Sequence, residues 1–444
     1  METITQGVSV EERPVSLRTE KRLAEDSFLT DDFLRQLINV GEVDILVGLP
    51  THNNAKTVGP IVQSIQAGIL RDFPRERAAI INADGGSRDG TPELVTGISI
   101  DDVRRTANLY TLRTLHSIST QYASTPASGV ALRTILSAAE LLRAKACVLI
   151  SPESTNLKPE WLSKLLRPIY NEGFDLVTPT YRRHKFEGLL ITNLLYPMIR
   201  ALYGTRIREP YATEIGFSGR LGGQFLGQNN WDDGTGQTGL ELRLTLAAIT
   251  GGCRICHSFL GEKDHVERRS ADLIPALRQT VDTLFFALAA DFPVWSAVAG
   301  SQPVPSNGPE SEVGLEPLRI NRKRLREMFS IGVAELASVF QSILLPSTLA
   351  ELQRIAGLDE DDFRYPAELW VRTVYEFAVS YQKSVINRDH IIQALAPLFR
   401  GRAYTFLVEN RDASTNQVEN NIESLCLEFE RLKPYLLEMW NGRK

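Results

Sequence analysis

Asp44-Ile-Leu-Val-Gly-Leu-Pro-Thr-His-Asn-Asn54, followed by Ala78-Ala-Ile-Ile-Asn-Ala-Asp-Gly-Gly-Ser-Arg-Asp-Gly-Thr91, decides how this chain folds. Each stretch is a short apolar run that stops at a polar, turn-forming cluster, so each predicts a buried strand ending in a loop. Helical spacing over 57–70 separates the two. Working downstream, 130–143 reads as a helix, 146–150 as a third buried strand and 175–178 as a fourth. Strands that alternate with helices imply right-handed crossovers and a mostly parallel sheet flanked by helices, an α/β fold. Ligands of such sheets bind beyond the carboxyl ends of the strands, and the polar clusters here follow strands one, two and three.

The 444 residues suit two domains better than one. Residues 1–40 read as a polar arm ending in a short helix over 31–39. Residues 41–268 hold the strand–helix pattern. From 269 to 444 the strand signals fade, and a helical domain is expected, with helices over 273–290, 321–344, 366–384, 388–399 and 416–440. The Pro/Gly/Ser-rich run 300–317 reads as a linker or loop. The bland roles of the helical part are to cover the sheet, to position an acceptor or to build an oligomer contact such as a homodimer.

Apolar and charged contents of 43% and 23% are those of an ordinary soluble protein. A net charge of −5 argues against broad nucleic-acid binding, which needs a basic surface. The first residues carry no apolar stretch long enough for a signal peptide, so a cytoplasmic location with reduced cysteines is expected. The most apolar segment, 284–299, is interrupted by Asp291 and Pro293, so a buried helix–turn is favoured over a membrane span.

Four clusters can carry chemistry. Pro50, Thr51, His52 and Asn53 end strand one; their polar side chains and exposed backbone can hydrogen-bond a flat base, or simply cap the following helix. Asp84 and Gly85 end strand two. The carboxylate can accept from a pyrimidine imide or a ribose hydroxyl, and the glycines let backbone approach a ligand; the bland alternative is a capped turn. The spacing is not G-x-G-x-x-G, which disfavours a dinucleotide fold. Ser151-Pro152-Glu153 ends strand three, where a carboxylate can hold a divalent cation against a diphosphate, or stand solvated in a turn. Leu260-Gly261-Glu262-Lys263-Asp264-His265 offers a metal-ligating imidazole and, in Lys263, a partner for phosphate. Cys253-Arg-Ile-Cys-His257 fits the spacing of covalent haem attachment. That chemistry needs export, and a strand there would place the two cysteines on opposite faces, so haem is set aside.

The motifs together resemble the family 2-like glycosyltransferases of the GT-A fold. The resemblance rests on Pro50-Thr-His-Asn-Asn54, Ala83-Asp-Gly-Gly-Ser-Arg-Asp-Gly-Thr-Pro92 and Ser151-Pro-Glu153. Further pieces follow in order: Tyr181-Arg-Arg183, Glu209-Pro-Tyr-Ala-Thr-Glu214, Gly239-Leu-Glu241 and Leu260-Gly-x-Lys-x-His265. That order is similar to the synthases of glucosyl-3-phosphoglycerate, glucosylglycerate and mannosylglycerate, the last two being compatible solutes. The resemblance spans 43–268. It implies a transferase that moves a hexose from a nucleotide-diphosphate sugar to a small hydroxy acid of the glycerate type, retaining and assisted by Mg2+ or Mn2+. By position, Pro50, Thr51, His52, Asn53, Asp84, Gly85, Ser128, Gly129 and Lys263 would bind the nucleotide sugar. Glu153 and His265 would hold the metal, and Arg182 and Thr213 would face the acceptor. Glu214 would hold donor-sugar hydroxyls; in an inverting enzyme Glu214 or Glu241 would be the general base. Ser151 stands where the family has the first Asp of Asp-x-Asp. Ala212 and Thr213 stand where it has two glycines, and Ala127-Ser-Gly129 where a Lys is common. The lost Asp also keeps open a non-catalytic nucleotide-sugar-binding homologue.

Overall fold

The computed structural model describes residues 29–97, 115–122, 129–227, 239–262, 273–310, 312–314 and 321–442. Its sheet has nine strands: β1 (Ile45–Thr51), β2 (Ala78–Asp84), β3 (Leu115–Gln121), β4 (Ala146–Leu149), β5 (Leu176–His184), β6 (Ile215–Ser218), β7 (Ile255–Glu262), β8 (Ser306–Asn307) and β9 (Val313–Gly314). The order is β3-β2-β1-β4-β6-β5-β7-β8, with β9 on β5. Only β6 runs against its neighbours β4 and β5; the other pairings are parallel. The expected mostly parallel α/β sheet is therefore present.

Helices that matter below are α1 (Ala55–Asp72), α2 (Val130–Leu141), α3 (Pro159–Glu172), α4 (Tyr196–Tyr203), α5 (Leu240–Thr250), α6 (Thr283–Ala290), α7 (Arg322–Glu335), α8 (Ala367–Lys383), α9 (Arg388–Glu409) and α10 (Thr415–Arg431). Alternation along the strands sorts the side chains onto two faces. Leu46, Ile81, Cys147 and Leu149 pack with Ile135 and Leu136 of α2 on one face. Ile45, Val47, Ile80 and Val148 pack with Val58 and Ile65 of α1 and with Trp161 and Leu165 of α3 on the other. A third core joins Leu194, Leu202, Leu242 and Leu246 to Leu277, Leu284, Trp295, Trp370 and Phe429. The helical region thus shares one apolar core with α4 and α5 of the sheet region.

Several expectations need correcting. The run 300–317 is more than a linker, because β8 and β9 lie in it. Glu312 and Gly314 carbonyls accept from the Arg183 and Lys185 amides, and Pro305 accepts from His257. Two-residue polar strands leave no alternation to read. β3 and β6 were unforeseen for the same reason of weak pattern: Leu-His-Ser-Ile-Ser-Thr-Gln alternates in only two apolar residues, and Ile-Gly-Phe-Ser is short. The helix expected over 388–399 continues to Glu409 through Pro397, whose ring sits against Gly332 of α7, where no side chain intervenes. The span 273–290 is long and apolar enough to cross a membrane by composition. Here it is one face of the helical core, with Leu277, Val281, Leu284, Phe285 and Leu288 buried. Its middle, Arg278–Asp282, is a π-helical turn.

Candidate functional site

β1 and β2 end side by side, with Thr51 paired to Asp84. Their loops are stitched together by side chains taking up backbone groups that the strands leave behind. The buried Asp84 carboxylate accepts from the Gly86 amide (3.0 Å), the Ser87 amide (2.7 Å) and the Ser87 hydroxyl (2.6 Å). The Thr51 hydroxyl lies 2.9 Å from Asp84 Oδ1 and 2.8 Å from Asn82 Oδ1, sharing its one proton between them. Asn53, at φ 53°, accepts from the Arg88 amide and donates its own amide to Ser87 Oγ. His52 Nδ1 faces the Gly85 carbonyl at 3.1 Å, and a carbonyl can only accept, so the proton sits on Nδ1. Nε2 then accepts from the Asn53 side-chain amide at 3.0 Å. The Ala55 amide, an orphan donor at the start of α1, is taken up by Asp89. The Thr91 hydroxyl, with that amide, holds the Asp89 carboxyl below its ordinary value.

A cavity of about 370 Å³ opens at this edge, within the range of small-molecule sites. Pro50 and Thr51 line it from the end of β1, His52 and Asn54 from the loop beyond, Tyr122 from after β3, Gly129 from just before α2, Leu132 and Ile135 from α2, and Pro152 and Glu153 from after β4. Gly85 lets this wall close up. A Cβ there would sit 3.1 Å from the Tyr122 hydroxyl and 3.3 Å from His52 Nδ1. Burial, with the charge of Asp84, pushes the Tyr122 hydroxyl above its ordinary value.

The loop after β4 is pinned from three sides. The Thr57 hydroxyl donates to the Pro152 carbonyl at 2.6 Å, and Asn156 donates to the Glu262 carbonyl at the end of β7. Ser154 donates its hydroxyl to Glu214. Glu214 is fully buried and also accepts from Tyr181 (2.6 Å) and Thr213 (2.9 Å). It does not line the cavity, whereas Glu241 does. Desolvation pushes the Glu241 carboxyl above its ordinary value. Arg182 stands half-exposed on β5, 3.6 Å from Glu262 and 3.8 Å from Glu312, and does not line the cavity either. Ser128, Lys263 and His265 lie outside the described residues. Among the described residues no group of three His, Cys, Asp or Glu could hold an ion. The strand-end donors present are the Glu153 carboxylate and the Ser151 hydroxyl, to which the Glu153 amide donates. An oxygen set of this kind suits Mg2+ or Mn2+ but is incomplete by itself.

The rest of the wall comes from Tyr211, from Gly239, Leu240 and Glu241 at the start of α5, and from Gln279 in the π-helical turn. Tyr122, Tyr211 and Gln279 were not among the expected site residues. Tyr122 follows a strand that the sequence pattern hides, and nothing in the apolar run around Gln279 marks it. Tyr211 was in view within the Glu209–Glu214 motif but carried no assigned role. Of the haem-like stretch only Ile255-Cys-His257 lies in a strand, because β7 begins at Ile255 and Cys253 and Arg254 precede it. Cys256 belongs to one face of the sheet and Cys253 packs on the other, while His257 is buried with its Nε2 accepting from the Arg208 amide.

No protein-family profile matches the sequence, and no curated protein does. Among solved structures the chain is similar to glucosyl-3-phosphoglycerate synthase of Mycobacterium tuberculosis in complex with Mn2+, UDP and glucosyl-3-phosphoglycerate. The two are 21% identical, with 59% of this chain and 84% of that one covered and a TM-score of 0.39. The complex of that synthase with Mn2+, UDP-glucose and phosphoglyceric acid gives 20%, 59%, 83% and 0.39. A further mycobacterial protein gives 20%, 57%, 77% and 0.40.

Proposed function

We propose that the protein is a nucleotide-sugar-dependent hexosyltransferase. The observation that carries this reading is the cavity at the carboxyl edge of β1, β3 and β4, with Glu153 on its rim. Such an edge is where a parallel sheet binds ligands, and the loops that form it are those whose motifs resemble GT-A glycosyltransferases. Pro50, Thr51, His52, Asn53, Gly85 and Gly129, with Ser128 and Lys263, form the nucleotide site. Asp84 serves it through the turn it organises, since its oxygens already serve that turn.

Glu153, with His265 three residues beyond Glu262, is the protein's share of a divalent-cation site. Bound there, Mg2+ or Mn2+ would neutralise the diphosphate as it leaves. Ser151 adds at best a hydroxyl, so the diphosphate must supply most of the anionic ligands and metal binds appreciably only with nucleotide. Glu214 holds the Glu153 loop through Ser154, and Thr213 holds Glu214. Of the two candidate bases, Glu241 is the one that reaches the cavity. An inverting reaction would use it to take the acceptor proton; in a retaining reaction the leaving diphosphate takes that proton. Glycerate or its phosphate is the acceptor that the motif order implies, with Arg182 as the residue to meet its anion.

Titration of Mn2+ by calorimetry, with and without UDP, tests the reading alongside turnover of UDP-hexoses. Glu153→Ala or His265→Ala should remove the nucleotide-dependent Mn2+ binding and the metal-dependent turnover. Ser151→Asp should let Mn2+ bind without nucleotide. Metal that changes neither binding nor turnover of the wild type would overturn the metal assignment. Binding of UDP-hexoses with no turnover would instead favour the non-catalytic homologue, to which the lost Asp at Ser151 points.

A further inference from the structure

The turn after β4 and the end of β7 are each held by their own contacts. Residues 151–157 fold on themselves: the Ser154 amide donates to the Ser151 carbonyl (3.2 Å), Thr155 to Glu153 (2.9 Å) and Leu157 to Ser154 (3.0 Å). Thr57 holds this turn to the start of α1 through the Pro152 carbonyl. β7 is held to α3 as far as Phe259, whose carbonyl accepts from Lys164 Nζ at 2.8 Å, while Ser258 donates its hydroxyl to the Lys164 carbonyl at 2.7 Å. Beyond that point the strand changes course. Its pairing with β5 passes from Thr180–Phe259 to Tyr181–Gly261, which leaves the buried Leu260 as an extra residue. Gly261 follows at φ 92°, and a Cβ on it would meet nothing within 4 Å. The glycine is there for the backbone angle and not for space. Bulges of this kind re-aim the end of a strand, often beside an active site.

The Asn156 side chain crosses between the two. Its Nδ2 donates to the Glu262 carbonyl at 2.8 Å; a carbonyl can only accept, which fixes the orientation of the amide. Asn156 lies three residues beyond Glu153, and Lys263 follows Glu262 directly. We propose that Asn156 is a positioning residue for the cation–diphosphate site, holding the Glu153 turn against the redirected end of β7. The proposal rests on the hexosyltransferase reading above and adds to it a residue that acts through Glu153. A short polar turn left untied has to be ordered when its ligands bind, and that ordering is subtracted from affinity. The tie from Asn156 orders it beforehand, as a supporting shell does for the groups that touch a ligand. Asn156 is itself only half-buried, so water takes over its hydrogen bond when the side chain is removed, and the fold loses little. The residue therefore matters more to the geometry of the site than to stability.

The test measures Mn2+ binding to the full chain by calorimetry at saturating UDP, UDP binding without metal, and the urea midpoint of the free protein. Asn156→Ala should raise the Mn2+ Kd about three- to tenfold, the loss of one neutral hydrogen bond, with the metal-free UDP Kd and the urea midpoint unchanged. Asn156→Gln keeps the amide donor and should restore most of that affinity. Gly261→Ala approaches the tie from the other side. It strains the path out of β7 without touching a neighbour, and should weaken Mn2+ binding in the same way, so it carries the test even where Asn156→Ala does not fold. A Mn2+ Kd unchanged in both Asn156→Ala and Gly261→Ala overturns the proposal and leaves the cation reading standing. So does a fall in the urea midpoint with metal-free UDP binding weakened as much as Mn2+ binding, the signature of a brace for the fold alone. A wild type whose Mn2+ binding does not respond to UDP overturns the cation reading itself, and the proposal with it.

Discussion

Asp84→Ala separates two roles for the residue that most resembles a nucleoside ligand. In this structure the carboxylate is buried and accepts from two backbone amides and from the Ser87 hydroxyl, with the Thr51 proton shared between it and Asn82. Removing it leaves the Gly86 and Ser87 amides without acceptors, while Thr51 keeps Asn82. An orphaned buried donor costs about 1–3 kcal/mol. Gly86 is exposed and Ser87 partly so, so water recovers some of that cost. We expect a loss of about 2–4 kcal/mol of folding stability without any nucleotide. Asp84→Asn keeps one acceptor oxygen and should lose roughly half as much. The assay is urea unfolding of the free protein, with the midpoint falling at unchanged slope. Nucleotide affinity should drop at least about tenfold in the same variant, because the 52–55 loop depends on the 84–91 loop. A variant as stable as the wild type that no longer binds nucleotide would rule out the structural role, since the carboxylate would then face the ligand and not the turn.

Gly239→Ala forces a Cβ onto the Gln279 carbonyl at a left-handed φ, and should cost about 2–4 kcal/mol in the same unfolding experiment. Arg200, fully buried on α4, is paired at 2.5 Å with Glu423 and 2.7 Å with Glu430 of α10. Arg200→Ala should cost about 3 kcal/mol and loosen α10, visible as faster amide exchange along Thr415–Arg431. His257 is buried with its pKa pushed down to about 4 by desolvation and by Arg208. The unfolded chain therefore takes up a proton first, near pH 6.5, the ordinary value for an imidazole. Stability present above that pH should fall by roughly 2–3 kcal/mol between it and about pH 4, and His257→Gln should flatten that part of the pH–stability curve. A chain ended at Gly300 uncovers Leu284, Phe285 and Trp295, which the later helices bury, and should aggregate on expression, as sizing chromatography would reveal.

The parallel centre of the sheet was legible because β1, β2 and β4 are unbroken apolar runs buried on both faces, as in Ile45–Val47 and Ala78–Ile81. The stitched loops were legible as polar clusters at strand ends. Their use was not, because the same Asp and Asn types cap turns and hold ligands. Asp84 shows the ambiguity: its position fits a nucleoside contact, and its hydrogen bonds are those of a capped turn. Glu214 and Glu241 looked alike in sequence, yet their surroundings separate them; one is locked by Tyr181, Thr213 and Ser154 and the other lines the cavity. Gln279 could not be foreseen, because its place depends on a π-turn and on contact with Gly239, residues 40 apart in sequence.

The proposed function requires a nucleotide-diphosphate sugar to bind in the cavity between the β1 loop, α2 and the β4 loop. A thermal-shift titration of UDP- and GDP-hexoses, each with and without Mn2+, tests it most directly, using the wild type and Ala131→Trp, whose indole would fill the cavity. At least one nucleotide sugar should stabilise the wild type, by about 2.7 kcal/mol at a hundred times its Kd. The shift should be larger with Mn2+ and absent from a folded Ala131→Trp. No shift of the wild type by any of these ligands, or an equal shift in the filled variant, would mean that no nucleotide sugar binds in this cavity.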